Sequence, residues 1–167
     1  LQLSQLQAAA VSSTVPPLVD VWQKLCRKYL QVVPLVISVD THTNLPIRLD
    51  NPREIGPDRI GNSVPRRAKY GNSLIIIDLG TATTFDCVSA AGEFLGGVIA
   101  PGLAVSADAL CNSTARLPRV EFDVPSRALA TNTVQALQSG LVYGYAGLVD
   151  GIVRRLEFEE SILDGLK

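Results

Sequence analysis

The stretch LIIIDLGTATTFDCVSAAGEFLGGVIAPG, residues 74–102, decides the fold of this chain. Its four leading apolar residues, Leu74–Ile77, predict a buried strand. That strand delivers Asp78 into a turn of small residues, Gly80–Thr84, and a second strand follows over Phe85–Val88. The stretch therefore predicts a hairpin with a carboxylate at the mouth of its turn.

The composition of the turn suggests what it could bind. Glycine lets a bulky group approach the backbone, and the N–H groups and hydroxyls of such a turn can point at phosphate oxygens. A carboxylate beside it suits a hard cation that accompanies phosphate. Asp-x-Gly-Thr is also a common plain turn, so the motif alone leaves both interpretations open. A second glycine cluster, which favours a nucleotide cleft, follows closely at Gly92, Gly96, Gly97 and Gly102.

Composition narrows the function classes. The chain has 167 residues, 47% of them hydrophobic and 19% charged, which is typical of a globular protein with a good core. A net charge of −1 without a basic stripe argues against nucleic acid as a partner. The sequence predicts no membrane helix, and Leu1–Gln7 has no signal-peptide pattern. Cys26, Cys87 and Cys111 lie far apart, which favours reduced thiols and a cytoplasmic protein.

Periodicity predicts an α/β fold with a mixed sheet. We predict strands at Ala8–Val15 and Leu35–Val39, and helices at Leu18–Tyr29, from Asp58 onward, at Ala104–Ser113 and at Val134–Leu156. Asp58 is expected to cap its helix, and Pro65 to kink or shorten it. The last helix carries glycines at three- and four-residue spacing, which indicates close packing against another helix or sheet.

A second unusual feature is the loop IGPDRIGN, residues 55–62, which places Asp58 beside Arg59. A guanidinium suits a substrate carboxylate, because its planar fork binds one bidentately. A carboxylate suits removal of a proton from an attacking hydroxyl during phosphoryl transfer. The alternative is an N-cap aspartate beside a surface arginine, and the loop alone does not decide between them.

Together these motifs resemble the type III pantothenate kinases, members of the acetate and sugar kinase/Hsp70/actin superfamily. The matching stretches keep the family's order and spacing and are Ile55–Arg59, Asp78–Asp86, Gly96–Gly102, Thr114–Pro118, Asn132–Thr133 and Gln138–Gly140.

The resemblance implies an actin-like ATPase (ribonuclease H-like) fold with a mixed sheet. Residues 1–60 would be the remainder of the N-terminal domain, and residues 61–167 the C-terminal domain with the second phosphate loop. The implied activity is ATP-dependent phosphorylation of pantothenate to 4′-phosphopantothenate, the first step towards coenzyme A. The implied cofactors are ATP with Mg²⁺ and a monovalent cation, K⁺ or NH4⁺, and the implied assembly is a homodimer.

The resemblance also implies roles for single residues. Asp58 matches the proton acceptor, Asp78 the ligand of the monovalent cation, and Thr81 a contact to the ATP phosphates. The residues that match pantothenate contacts are Gly56, Pro57, Asp58, Arg59 and Thr133.

The chain departs from the family pattern in two places. It has no Asp-x-Gly-Asn-Thr loop before the first strand and no Thr-Gly-Gly element after the long helix. It is therefore expected to lack the first strands of its N-terminal domain. Two alternatives stay open: a non-catalytic superfamily member that binds or regulates, and an inactive fragment. A sugar or acetate kinase is disfavoured by the Gly-Pro-Asp-Arg loop.

Overall fold

The computed structural model of the chain describes residues 6–165, with side chains described as far as residue 159. The predicted mixed α/β architecture is confirmed. The elements in chain order are β1 (Ala10–Val11), α1 (Pro16–Leu25), β2 (Leu35–Val36), α2 (Pro57–Tyr70), β3 (Leu74–Leu79), β4 (Ala82–Val88), β5 (Phe94–Pro101), α3 (Leu103–Asn112) and α4 (Thr133–Gly165). Part of the Leu1–Gln7 stretch and the end of the predicted 61–167 domain lie outside the described residues.

The chain forms two compact units. The first comprises Leu1–Leu74 with Asp86–Gly96, and the second Ile75–Phe85 with Gly97–Lys167. A three-stranded sheet in the order β3-β4-β5 contributes residues to both. None of the helices in the described part of the chain combines the length and apolarity needed to cross a bilayer.

In the first unit β1 and β2 pair in parallel, with Ala10 opposite Leu35. Both strands are shorter than predicted. The predicted strand Ala8–Val15 ends early because the Val15 N–H donates to the Ser13 hydroxyl at 3.1 Å, which forms a local turn. Helix α1 then begins at Pro16, two residues before the predicted start, because proline is favoured in a first helical turn.

Helix α2 carries the Gly-Pro-Asp-Arg motif. It begins at Pro57 with Gly56 as N-cap, so Asp58 lies in the first turn and does not cap the helix, contrary to the prediction. Its carboxylate still favours the helix, since it lies near the positive end of the macrodipole. Of the two effects predicted for Pro65, a kink or a shortening, the shortening is not seen, because the helix continues to Tyr70 and closes on Gly71, whose φ of 78° suits glycine.

In the three-stranded sheet β3 and β4 are neighbours, but the bounds of the turn between them differ from the prediction. Strand β3 extends through Asp78 to Leu79, and β4 already begins at Ala82. The turn is therefore only Gly80 and Thr81, not Gly80–Thr84. Thr83 and Thr84 of the motif join the strand because β-branched side chains fit a pleated, half-buried surface.

Both units have buried apolar residues, and strand β4 contributes to both sets. In the first unit the buried apolar residues are Cys26, Leu45, Ile55, Ile60, Cys87, Val88 and Phe94. In the second unit they are Ile76, Phe85, Ala100 and Leu137. Helix α3 agrees with its predicted bounds within one residue, whereas α4 extends well beyond the predicted Leu156.

Candidate active site

The loop that enters α2 is anchored on both sides. Ile55 and Ile60 are 4% and 1% exposed, and they hold the Gly56–Arg59 segment against the first unit's core. The Arg59 N–H donates to the Gly56 carbonyl at 3.1 Å. Oδ1 of Asp58 folds back into the space that a Cβ at position 56 would fill, while the Asp58 side chain stays exposed. Glycine at 56 thus makes room for an accessible carboxylate.

Arg59 is fixed by a buried partner. Its Nε and Nη2 atoms both lie 2.6 Å from Oδ1 of Asp86 on β4. The Asp86 side chain is fully buried and that of Arg59 is 14% exposed. The guanidinium carbon also lies 5.2 Å from the centroid of the Phe94 ring, within the range of a cation–π contact. A flexible side chain is therefore held in one place, directly after the exposed Asp58.

In the second unit, Gly102 lies against the backbone of the Gly80–Thr81 turn. The Gly102 N–H donates to the Thr81 carbonyl at 2.9 Å. A Cβ at position 102 would lie 2.6 Å from that oxygen and closer still to the carbonyl oxygen of Gly80. The Gly80 N–H donates to the Ala82 carbonyl at 3.1 Å, so this group is used to close the turn. The exposed Thr81 side chain remains at the surface as a candidate phosphate contact.

Helix α4 supports the same turn through Tyr145. The Tyr145 hydroxyl is hydrogen-bonded to the hydroxyl of Thr83, a fully buried residue of β4. It also donates to the Pro101 carbonyl at 3.4 Å. One aromatic side chain of α4 thus contacts both β4, at Thr83, and the end of β5, at Pro101.

The remaining predicted site residues lie in the second unit. Asp78 is exposed on β3, two residues before the turn. Thr133 is the exposed first residue of α4, whose N-terminus is capped by the Asn132 side chain accepting from the Gln135 N–H at 2.9 Å. The structure thus brings Gly80–Thr81 together with Gly102, and it places Thr133 at the start of α4.

In the described part of the chain, side chains alone do not form a metal-binding cluster. Within residues 6–165, no three or more His, Cys, Asp or Glu side chains are grouped so that they could hold a metal ion. Mg²⁺ in kinases is usually bound by one or two carboxylates together with nucleotide phosphates, so such a cluster is not required. His42 lies exposed in a loop.

Sequence reasoning missed two of these residues. Asp86 closes the motif stretch Asp78–Asp86, but its pairing with Arg59 was not predicted. The signal was present, because a charged residue between Phe85 and Cys87 in an apolar strand must be buried, and buried charges are paired. Tyr145 gave no such signal, since nothing in the helical pattern distinguishes it from its neighbours.

Comparison with known proteins identifies the family. A profile described as type III pantothenate kinase matches residues 1–155. The chain is 52% identical over 155 residues to type III pantothenate kinase 2 of Symbiobacterium thermophilum, covering 93% of this chain and 59% of that protein. It is 50% identical over 161 residues to the type III pantothenate kinase of Geobacter sulfurreducens, covering 96% and 63%. The chain thus spans about three fifths of the length of these relatives.

One solved structure is similar in fold. It is a crystal structure from Campylobacter jejuni, described as belonging to a Baf family of transcriptional activators. The TM-score is 0.57 at 20% sequence identity, with 90% of this chain and 67% of that chain covered. At this identity the likeness concerns the fold alone.

Proposed function

Since the chain belongs to the type III pantothenate kinase family, we propose that the protein containing it is an ATP-dependent kinase. It transfers a phosphoryl group to the terminal hydroxyl of pantothenate and gives 4′-phosphopantothenate, the first step of coenzyme A biosynthesis. The observation that carries this proposal is the exposed Asp58 carboxylate next to the fixed guanidinium of Arg59. A proton acceptor beside a carboxylate-binding group suits an acceptor that has both a hydroxyl and a carboxylate.

In this proposal each residue has one task. Asp58 accepts the proton of the attacking hydroxyl, and Arg59 binds the pantothenate carboxylate. Gly56 and Pro57 shape the loop around pantothenate, and Thr133 supplies a further contact to it. Thr81 contacts the ATP phosphates, for which the Gly80–Thr81 turn offers an exposed hydroxyl.

The proposal also includes the fold, the domain bounds, the cellular location and the metal ion. We assign the chain to the actin-like fold, with residues 1–60 in its N-terminal domain and residues 61–167 in its C-terminal domain, and we place the reaction in the cytoplasm. Mg²⁺ enters with ATP, whose phosphates supply most of its ligands. The test is incubation of the protein, expressed from its complete gene, with ATP, Mg²⁺ and pantothenate. Phosphopantothenate detected by mass spectrometry supports the proposal, and binding of both substrates without turnover would support the non-catalytic alternative.

Asp78 carries a prediction about cations. An exposed carboxylate two residues before a phosphate turn repels a nucleotide unless a bound cation compensates its charge. We expect kinase activity to require K⁺ or NH4⁺, and Asp78→Ala to abolish that requirement. Initial rates in KCl, NH4Cl and NaCl measure it. Asp108→Ala, which removes an exposed aspartate of the same unit, is the matched control and should keep the wild-type cation response. Full wild-type activity in NaCl alone would contradict a monovalent-cation site.

Helix α4 carries a prediction about assembly. A Cβ added at Gly140, Gly144, Gly147 or Gly151 meets, within 4 Å, no atom of the described residues apart from the adjoining residues and backbone of α4, so the glycine face is open in this part of the chain. We propose that a second copy packs there, in a two-fold homodimer with an apolar, self-complementary contact. Gly144→Leu should then give a folded monomer, because leucine is the better helix former by roughly 0.8 kcal/mol. Light scattering and circular dichroism separate the two effects, and an intact Gly144→Leu dimer would disprove this interface.

A further inference from the structure

The pairing of Arg59 with Asp86 is more specific than a general charge contact. One carboxylate oxygen, Oδ1 of Asp86, lies at 2.6 Å from both Nε and Nη2 of Arg59. Asp86 extends from β4 and is fully buried, and Phe94, which is also fully buried, packs against the guanidinium. The guanidinium is therefore held on one edge by a charge and on its face by a ring.

This arrangement divides the donors of Arg59 into two sets. A guanidinium has five N–H donors in a rigid plane. The Nε proton and one Nη2 proton are directed to Asp86, which leaves both Nη1 protons and the second Nη2 proton. One of the Nη1 protons and the second Nη2 proton lie along the outer edge of the fork, and that edge can take a carboxylate bidentately. With the Nε edge occupied, an anionic substrate has only one way to engage the fork.

We propose that Asp86 is a positioning residue that fixes which edge of Arg59 is presented to the substrate carboxylate. The inference rests on the proposed function, since it takes Arg59 as the group that binds pantothenate. Asp86 also compensates the charge of Arg59, so the pair selects its ligand by hydrogen-bond geometry more than by net positive charge. The chemical class recognised is a planar carboxylate on a small hydroxy-acid amide.

A purely structural role for Asp86 makes a different prediction. If the pair served only the core of the first unit, its loss would lower stability and reduce the active fraction. The KM values of the remaining folded enzyme would then stay unchanged for both substrates. A positioning role instead raises the KM for pantothenate selectively, because misdirected donors weaken one contact only.

The experiment uses Asp86→Asn in the protein expressed from its complete gene. Asparagine keeps the shape and one acceptor oxygen but removes the charge. We expect the KM for pantothenate to rise roughly 10- to 100-fold, the scale on which small misplacements of binding groups act. The KM for ATP should remain near the wild-type value. Glu93→Gln, which breaks the more exposed Arg48–Glu93 ion pair of the same unit, is the matched control and should leave both KM values unchanged.

A double-mutant cycle tests whether Asp86 acts through Arg59. Arg59→Lys replaces the fork with a point charge and should by itself raise the KM for pantothenate. Adding Asp86→Asn to Arg59→Lys should change that KM little further, because the two residues form one unit. Additive effects would overturn the inference, as would an Asp86→Asn enzyme with a normal KM for pantothenate.

Failure of the inference is distinguishable from failure of the proposed function. If Arg59→Lys leaves the KM for pantothenate unchanged, Arg59 does not bind the substrate and the proposed function loses that assignment. If Arg59→Lys raises this KM and Asp86→Asn does not, only the inference fails. Should Asp86→Asn not fold, Asp86→Glu keeps a paired charge but moves it by one methylene group. That variant should fold and show the same selective rise, and a normal pantothenate KM in it would overturn the proposal.

Discussion

We expect Asp58→Asn to lower the kcat of pantothenate phosphorylation by about 10²- to 10⁴-fold, the usual range for loss of a positioned general base. Asparagine has nearly the same size as aspartate but cannot accept a proton from the attacking hydroxyl. The side chain is exposed in the first turn of α2 and folds back over Gly56, so its replacement disturbs no buried contact. Steady-state kinetics with saturating ATP, together with isothermal titration of pantothenate, measure catalysis and binding separately.

Binding of pantothenate to the Asp58→Asn protein should remain close to normal, because the carboxylate of the substrate is bound by Arg59. Asp50→Asn is the matched control, since it removes an exposed aspartate of the same unit and should not change kcat. A near-normal kcat in Asp58→Asn would show that another group accepts the proton. A loss of binding in parallel with kcat would instead give Asp58 a role in holding the substrate.

The elements that the sequence predicted well are those with a strong period or a clear boundary. The apolar run from Leu74 predicted β3, and the helical spacing after Gly102 predicted α3 within one residue. Boundaries set by competing local preferences were less predictable. Proline at position 57 began α2 one residue before the expected Asp58, because proline favours the first helical turn. The helix also continues across Pro65 and ends at the Gly71 C-cap, so this proline did not mark a boundary.

The candidate site was predictable residue by residue but not contact by contact. The Gly-Pro-Asp-Arg motif marked Asp58 and Arg59, yet the Arg59–Asp86 pair joins residues 27 positions apart in the chain. Sequence spacing does not specify such a contact, because it depends on how β4 packs against α2. The same holds for Tyr145 and Thr83, which lie 62 positions apart. Local chemistry is thus readable from the chain, whereas the partners that orient it arise from tertiary packing.

The second large effect is expected from Gly102→Ala. A Cβ at this position would overlap the carbonyl oxygens of Gly80 and Thr81. These are backbone atoms of a short turn between β3 and β4, and they cannot rotate away as the end of a side chain could. We expect the free energy of unfolding to fall by about 3 kcal/mol or more, at the upper end of the range for overpacking a well-packed site. Urea unfolding followed by circular dichroism at fixed protein concentration measures this change.

Gly80→Ala is the matched control, because it makes the same substitution in the turn that Gly102 contacts. Its Cβ would meet the Ala82 carbonyl at 3.5 Å, an ordinary van der Waals distance, so stability should change by less than about 1 kcal/mol. The folded fraction of Gly102→Ala should also show a raised KM for ATP, because the Gly102 N–H holds the Thr81 carbonyl and displacing it moves the proposed phosphate contact. Equal stability of the two variants would mean that the backbone of the turn shifts to accommodate the added Cβ at little cost in free energy. The close approach of Gly102 would then not be what fixes the backbone of Thr81.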